Sequence, residues 1–223
     1  MAEEPSDLGL FRSTRPAVEA GLFASGVIQL DAFLLSFVVI FVAELGDKSQ
    51  LMALAFATRY RAIDVLVGIS LATLLVHLGS VVLGATIAAA LPTDAIAVIG
   101  GLAFFVFAAW TLRGDRLDQD EAGRAARPTR SVILAVGTAF FLAELGDKTM
   151  LATITLATPE EAVGTWLGST AGMIAADAIA IAIGRWLGTR LPERTIRYVA
   201  AGLFVLFGVA LIAEGLGWFT VGL

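Results

Sequence analysis

Six apolar runs of eighteen residues or more constrain this chain of 223 residues most strongly, extending approximately from Ala32 to Ala57, Val65 to Leu91, Ala95 to Leu112, Val132 to Ala157, Val163 to Leu187 and Val199 to Leu216. As helices rising ~1.5 Å per residue, each crosses most or all of a ~30 Å hydrocarbon layer. A backbone in lipid must satisfy its own hydrogen bonds, so the runs are read as helices. The expected fold class is therefore an all-α integral membrane protein with six transmembrane helices. Composition agrees: 58% of residues are apolar and 16% are charged, against roughly 45–50% and 25% in soluble domains. Cysteine is absent and His77 is the single histidine, which excludes disulfide scaffolds, thiolate metal sites and a histidine-rich zinc centre. No basic patch interleaved with aromatics speaks for nucleic acid.

The chain repeats itself at an offset of one hundred residues. FVAELGDKSQLMALAFAT from Phe41 lies over FLAELGDKTMLATITLAT from Phe141 with ten of eighteen positions identical. Leu91-Pro92 likewise falls on Leu191-Pro192, and His77 on Asp177. Each copy holds three spans, an odd number, so the second copy enters the bilayer upside down relative to the first. The expected organisation is an N-terminal tail over 1–30, a first three-helix repeat over 31–112, a cytoplasmic linker over 113–130 and a second three-helix repeat over 131–217. The acidic-then-basic tail does not read as a cleaved signal peptide.

Eleven arginines follow spans one, three and five: Arg59, Arg61, Arg113, Arg116, Arg124, Arg127, Arg130, Arg185, Arg190, Arg194 and Arg197. The other side carries Arg12 and Arg15. The positive-inside rule then puts the arginine-rich loops in the cytoplasm and both termini outside. A bacterial plasma membrane is the expected location.

The duplicated AELGDK run puts charge where apolar residues are expected, near the middle of spans one and four. On a continuous helix at 100° per residue, Glu44, Asp47 and Lys48 share one face, as do Glu144, Asp147 and Lys148. Each ionised group facing lipid would cost ~2.5–3.5 kcal/mol at a helix centre, so the two faces are expected to meet each other or water. The structural alternative is an ion pair within each half between Glu44 and Lys48 in the favourable i,i+4 order, which leaves Asp47 and Asp147 unexplained. Fully ionised, four carboxylates and two ammonium groups sum to −2, the charge that one divalent cation neutralises. Carboxylates with the hydroxyls of Ser49 and Thr149, or with backbone carbonyls, suit Ca²⁺, Mn²⁺ or Mg²⁺. Gly46 and Gly146 let the helix bend or open there, or let helices pack closely. The chain's two lysines are Lys48 and Lys148; a desolvated ammonium can release its proton, unlike guanidinium, and so could balance the carboxylates until a cation arrives.

These motifs resemble the signature E-x-G-D-[KR]-[ST] of uncharacterised protein family 0016, whose members are regarded as Mn²⁺/Ca²⁺ transporters that exchange the cation for protons. The resemblance covers residues 32 to 217. It implies a divalent cation as substrate, protons as the counter-substrate, and no prosthetic group. Carried over by position, the cation-site residues are Glu44, Asp47, Lys48 and Ser49 with Glu144, Asp147, Lys148 and Thr149. The tail before Asp31 has no counterpart in the pattern.

Asp177 is an intramembrane carboxylate that either lines the pathway or pairs with a helix neighbour. His77 is either a proton relay or a hydrogen-bonded packing residue. Asp64, Asp94 and Glu214 are expected to be solvated at span ends. Gly164 with Gly168, and Gly184 with Gly188, read as helix contacts. Apart from the lipid bilayer, a second copy of the chain is an admissible partner that nothing in the sequence specifies. Two other classes compete with a cation/proton exchanger. A passive cation channel needs the same acidic lining but no proton coupling. An intramembrane aspartyl protease would pair Asp47 with Asp147, but the extra glutamates and lysines disturb a shared proton.

Overall fold

The computed structural model describes residues 15–113, 131–187 and 193–218, and every regular element among them is helical. The elements are α1 (Arg15–Glu44), α2 (Lys48–Ala57), α3 (Ala62–Ala88), α4 (Thr93–Arg113), α5 (Val132–Glu144), α6 (Lys148–Leu156), α7 (Ala162–Leu187) and α8 (Glu193–Gly215). Helix α1 begins inside the segment expected to be a tail. Most of the expected linker, together with Arg12, Arg116, Arg124, Arg127, Arg130, Gly188 and Arg190, lies outside the described residues.

Among the described residues, four helices are each long and apolar enough to cross a membrane: α3, α4, α7 over Ala162–Gly184 and α8 over Arg197–Gly215. A fifth span arises if Gln29–Glu44 and Lys48–Ala57 are taken together, but this pair is bent by 76°. The fourth apolar run is likewise interrupted, into α5 and α6, and α5 has only 13 residues. Spans one and four, expected as continuous helices, are thus each two helices with a break at Leu45–Asp47 and Leu145–Asp147. The cause is local. Gly46 and Gly146 adopt φ of 76° and 79°, a left-handed conformation that interrupts the helical ladder and that only glycine enters without a Cβ penalty.

The halves interlock, since α1 packs on α7, α5 on α3, and α4 on α8. Individual contacts repeat with the halves exchanged. A Cβ on Gly168 would strike the carbonyl of Phe33, and one on Gly68 would lie 2.9 Å from that of Ile133. Gly84 abuts Ile154 and Gly184 abuts Leu54 in the same way. Residues equivalent by the offset meet each other: Thr73 Oγ1 lies 3.3 Å from Met173 Sδ, and the Phe104 and Phe204 rings are 5.8 Å apart. Gly164, Gly168 and Gly172 form one stripe on α7 that admits the α1 backbone at Gln29, Phe33 and Phe37. The helix-contact reading of Gly164 and Gly168 therefore holds, and Gly172 extends it.

The polarity of the fold suits lipid. Leu34, Val38, Leu75, Val82, Val106, Leu134 and Leu206 are exposed, whereas Ser36, Thr73, Ser80, Thr153, Thr165 and Ser169 are buried. Exposed apolar faces of that extent are rare on water-soluble monomers. Several hydroxyls turn onto their own helix: Ser80 Oγ donates to the Val76 carbonyl at 2.7 Å, and Thr153 Oγ1 to that of Thr149 at 2.8 Å.

Candidate cation site

Each break exposes two helix ends at one place. Glu44 is the last residue of α1, Asp47 is the N-cap of α2, and Lys48 opens α2; Glu144, Asp147 and Lys148 repeat this arrangement. The single-face geometry expected of a continuous helix does not apply, because the chain turns between Glu44 and Asp47. Packing of α1 and α2 against α5, α6 and α7 then brings the two turns together.

The lysines cross between the halves. Lys148 Nζ donates to Asp47 Oδ1, and Lys48 Nζ lies 3.8 Å from Asp147 Oδ1. These pairs differ from the Glu44–Lys48 pairing considered as the structural alternative. Glu44 instead accepts from Ser49 Oγ, which also lies 3.1 Å from Asp47 Oδ2, while Glu144 Oε2 accepts from Thr149 Oγ1 at 2.8 Å. Glu44, Asp47, Ser49, Glu144 and Thr149 are all buried, and the Asp147 and Lys148 side chains are nearly so. Lys48 is 20% exposed against 4% for Lys148, which makes the Lys48–Asp147 side the more open one. One oxygen each of Glu44 and Glu144 is buried with no hydrogen-bond partner among the described residues. Such oxygens are costly unless another ligand uses them.

Asp177 is buried on α7, within Coulombic range of Asp47, Glu44 and Glu144. Neither of its oxygens has a hydrogen-bond partner among the described residues. His77 is buried on α3, and neither ring nitrogen has a hydrogen-bond partner among the described residues. Asp94 is exposed, whereas Asp64 and Glu214 are half-buried. Sequence reasoning missed Gln50. Its Oε1 accepts from the Gly46 N–H at 2.9 Å and its Nε2 donates to the Ala176 carbonyl at 3.1 Å, clasping the first turn to α7. A glutamine four residues after the glycine in an apolar span was the available signal. Among the described residues, no three carboxylate or imidazole groups are grouped closely enough to chelate one ion in this arrangement.

Buried carboxylates supply the oxygen donors that hard divalent cations take, and intramembrane carboxylates mark ion pathways. Over residues 32–119 and 132–218 the chain matches the family described as divalent cation/proton antiporter GDT1. The chain belongs to the GDT1 family. A Vibrio cholerae protein named "Putative manganese exporter" is 37% identical over 179 residues, which cover 79% of this chain and 88% of that protein. The rice "GDT1-like protein 2, chloroplastic" is 32% identical over 90% of this chain and 64% of its own length. A GDT1-like protein of Synechocystis is 30% identical over 81% of this chain and 96% of its own length. No solved structure matches the chain. As a GDT1 member it is an integral membrane protein of divalent cation transport, and not an enzyme; the protease alternative is thereby set aside.

Proposed function

We propose that this GDT1 protein exchanges a divalent cation, Mn²⁺ or Ca²⁺, for protons by alternating access around the two AELGDK turns. The observation that carries the reading is the reciprocal pairing of each lysine with the aspartate of the other half. Glu44, Asp47, Ser49, Glu144, Asp147 and Thr149 supply oxygen to the cation. Lys48 and Lys148 hold the carboxylates ionised in the empty state and withdraw when the cation enters. Asp177 and His77 balance charge or pass protons beside them. Because clustered carboxylates in a low dielectric cannot all stay ionised, an empty site also takes up protons. Cation and proton then compete for the same oxygens, and an acidic exterior drives the cation out of the cytoplasm.

In this reading α1 with α2, and α5 with α6, are broken spans, which makes six in all, arranged as two inverted three-helix repeats with the two turns near the bilayer midplane. The exchanged glycine contacts support a two-fold relation between the halves. The arginine-rich ends face the cytoplasm and the termini lie outside. Broken helices whose ends meet at the midplane recur in secondary transporters.

Asp47→Asn and Glu144→Gln should each abolish Mn²⁺- or Ca²⁺-dependent proton movement in proteoliposomes carrying an internal pH dye. Near-normal coupled flux in both variants overturns the proposal. Cation flux with no accompanying proton movement favours the passive channel instead.

A further inference from the structure

The two halves differ chemically beside their turns. The Gly46 N–H is taken by the amide oxygen of Gln50, but the Gly146 N–H is taken by the thioether of Met150 at 3.1 Å. The second-span residues differ as well, being His77 in α3 and Asp177 in α7. Gln50 grips the carbonyl of Ala176, which sets Asp177 at the first turn. The exchange of halves that relates Gly68 to Gly168, Gly84 to Gly184 and one lysine–aspartate pair to the other makes His77 the counterpart of Asp177, and on that relation His77 would face the second turn. Packing of α3 on α6 agrees with this. On that relation imidazole and thioether attend one half of the site, and carboxylate and amide the other.

We infer that His77, in the half of the fold whose turn holds the Met150 thioether, is a selectivity-determining contact for the transported ion, giving a first-row transition-metal dication such as Mn²⁺ an advantage over Ca²⁺ and Mg²⁺. Ca²⁺ takes oxygen ligands, and Mg²⁺ sheds its water for few others. First-row divalent ions accept nitrogen and sulfur donors as well. His77 is fully buried, and neither ring nitrogen has a hydrogen-bond partner among the described residues. An imidazole in that condition is costly unless another ligand uses a nitrogen during the cycle. The inference rests on the proposed transport function and names which half of the site discriminates.

Because His77 is the chain's single histidine, a ¹⁵N-histidine label reports on it alone. Mn²⁺ bound to the full wild-type chain in nanodiscs should show an electron spin echo modulation from nitrogen that changes from the ¹⁴N to the ¹⁵N pattern on labelling. Bound Mn²⁺ with no label-dependent modulation overturns the inference. In proteoliposomes, combining His77→Asp with Met150→Gln copies the first half's chemistry onto the second, and should raise the Ca²⁺-to-Mn²⁺ flux ratio about tenfold. An unchanged ratio with flux retained also overturns it. Should the variant fail to fold, the spin-echo result on the wild type decides. No divalent flux in the wild type would instead overturn the transport function, and the selectivity inference with it.

Discussion

At the scale of single residues, the reciprocal lysine–aspartate pairs dominate the interior. An ammonium and a carboxylate removed from water lose several kcal/mol of hydration each, and recover it only while they face each other. Removing one partner leaves the other as an uncompensated buried charge. Lys148→Met should therefore destabilise the protein by ~3 kcal/mol, whereas Lys148→Met combined with Asp47→Asn should recover much of that loss. Unfolding in mixed detergent micelles, run as a double-mutant cycle, measures the coupling; additive losses would show that the pair contributes nothing jointly. Outside the spans, burial pushes the Glu161 carboxyl above its usual range, with Glu160 and Asp31 adding to the effect and the Thr158 hydrogen bond opposing it. A carboxyl whose native pKa is raised favours the fold below its unfolded pKa and loses that contribution as pH rises through the native value. Glu161→Gln should accordingly flatten the decline of the melting temperature between about pH 4 and 7. A pH profile unchanged by the substitution would show that Glu161 is not its source.

At the scale of elements, the breaks in the first and fourth apolar runs and the α1–α7 and α3–α5 contacts form one design. A backbone that turns among packed apolar helices must have its freed polar groups met by protein. Gln50 and Met150 do this at the glycine N–H groups. Close helix approach then delivers both turns to one place, and it depends on residues without side chains. Gly168 admits the Phe33 backbone, and Gly68 lies against Ile133 and Val136. Gly168→Leu and Gly68→Leu should each destabilise by ~1–3 kcal/mol through overpacking, with a parallel loss of flux as the turns separate. Thermal unfolding of both variants checks this, and the matched pair tests whether the halves are equivalent in packing. The bend was legible in Gly46 and Gly146. The shared helix face of Glu44, Asp47 and Lys48 was not, because it presumed a helical twist that the left-handed glycine cancels.

At the scale of the whole molecule, charge separates between the ends of the bundle. A cavity of about 260 Å³ at one end is lined by Asp94, Glu161 and Glu214 among apolar neighbours. Arg113 stands at the opposite end of α4 from Asp94. The arginine excess predicts that this opposite end faces the cytoplasm. The chain has no cysteine, so single cysteines can be introduced one at a time without background. Cysteine at Arg59 or Arg113 should resist an impermeant maleimide applied to intact bacteria, and cysteine at Asp94 should react. The reverse pattern would invert the orientation.

The apolar runs, the one-hundred-residue duplication and the paired acidic motifs were all present in the amino-acid order itself, since hydrophobic length and internal similarity are properties of a linear string. Which lysine serves which aspartate, the clasp of Gln50 on α7, and the burial of His77 and Asp177 without hydrogen-bond partners among the described residues were decided only in three dimensions. The reason is physical: in a medium of low polarity a charge binds whatever opposite charge lies nearest through space. That neighbour comes from the other half of the chain, about one hundred residues away, and is brought close by broken helix ends and bare glycine surfaces whose meeting no local pattern encodes.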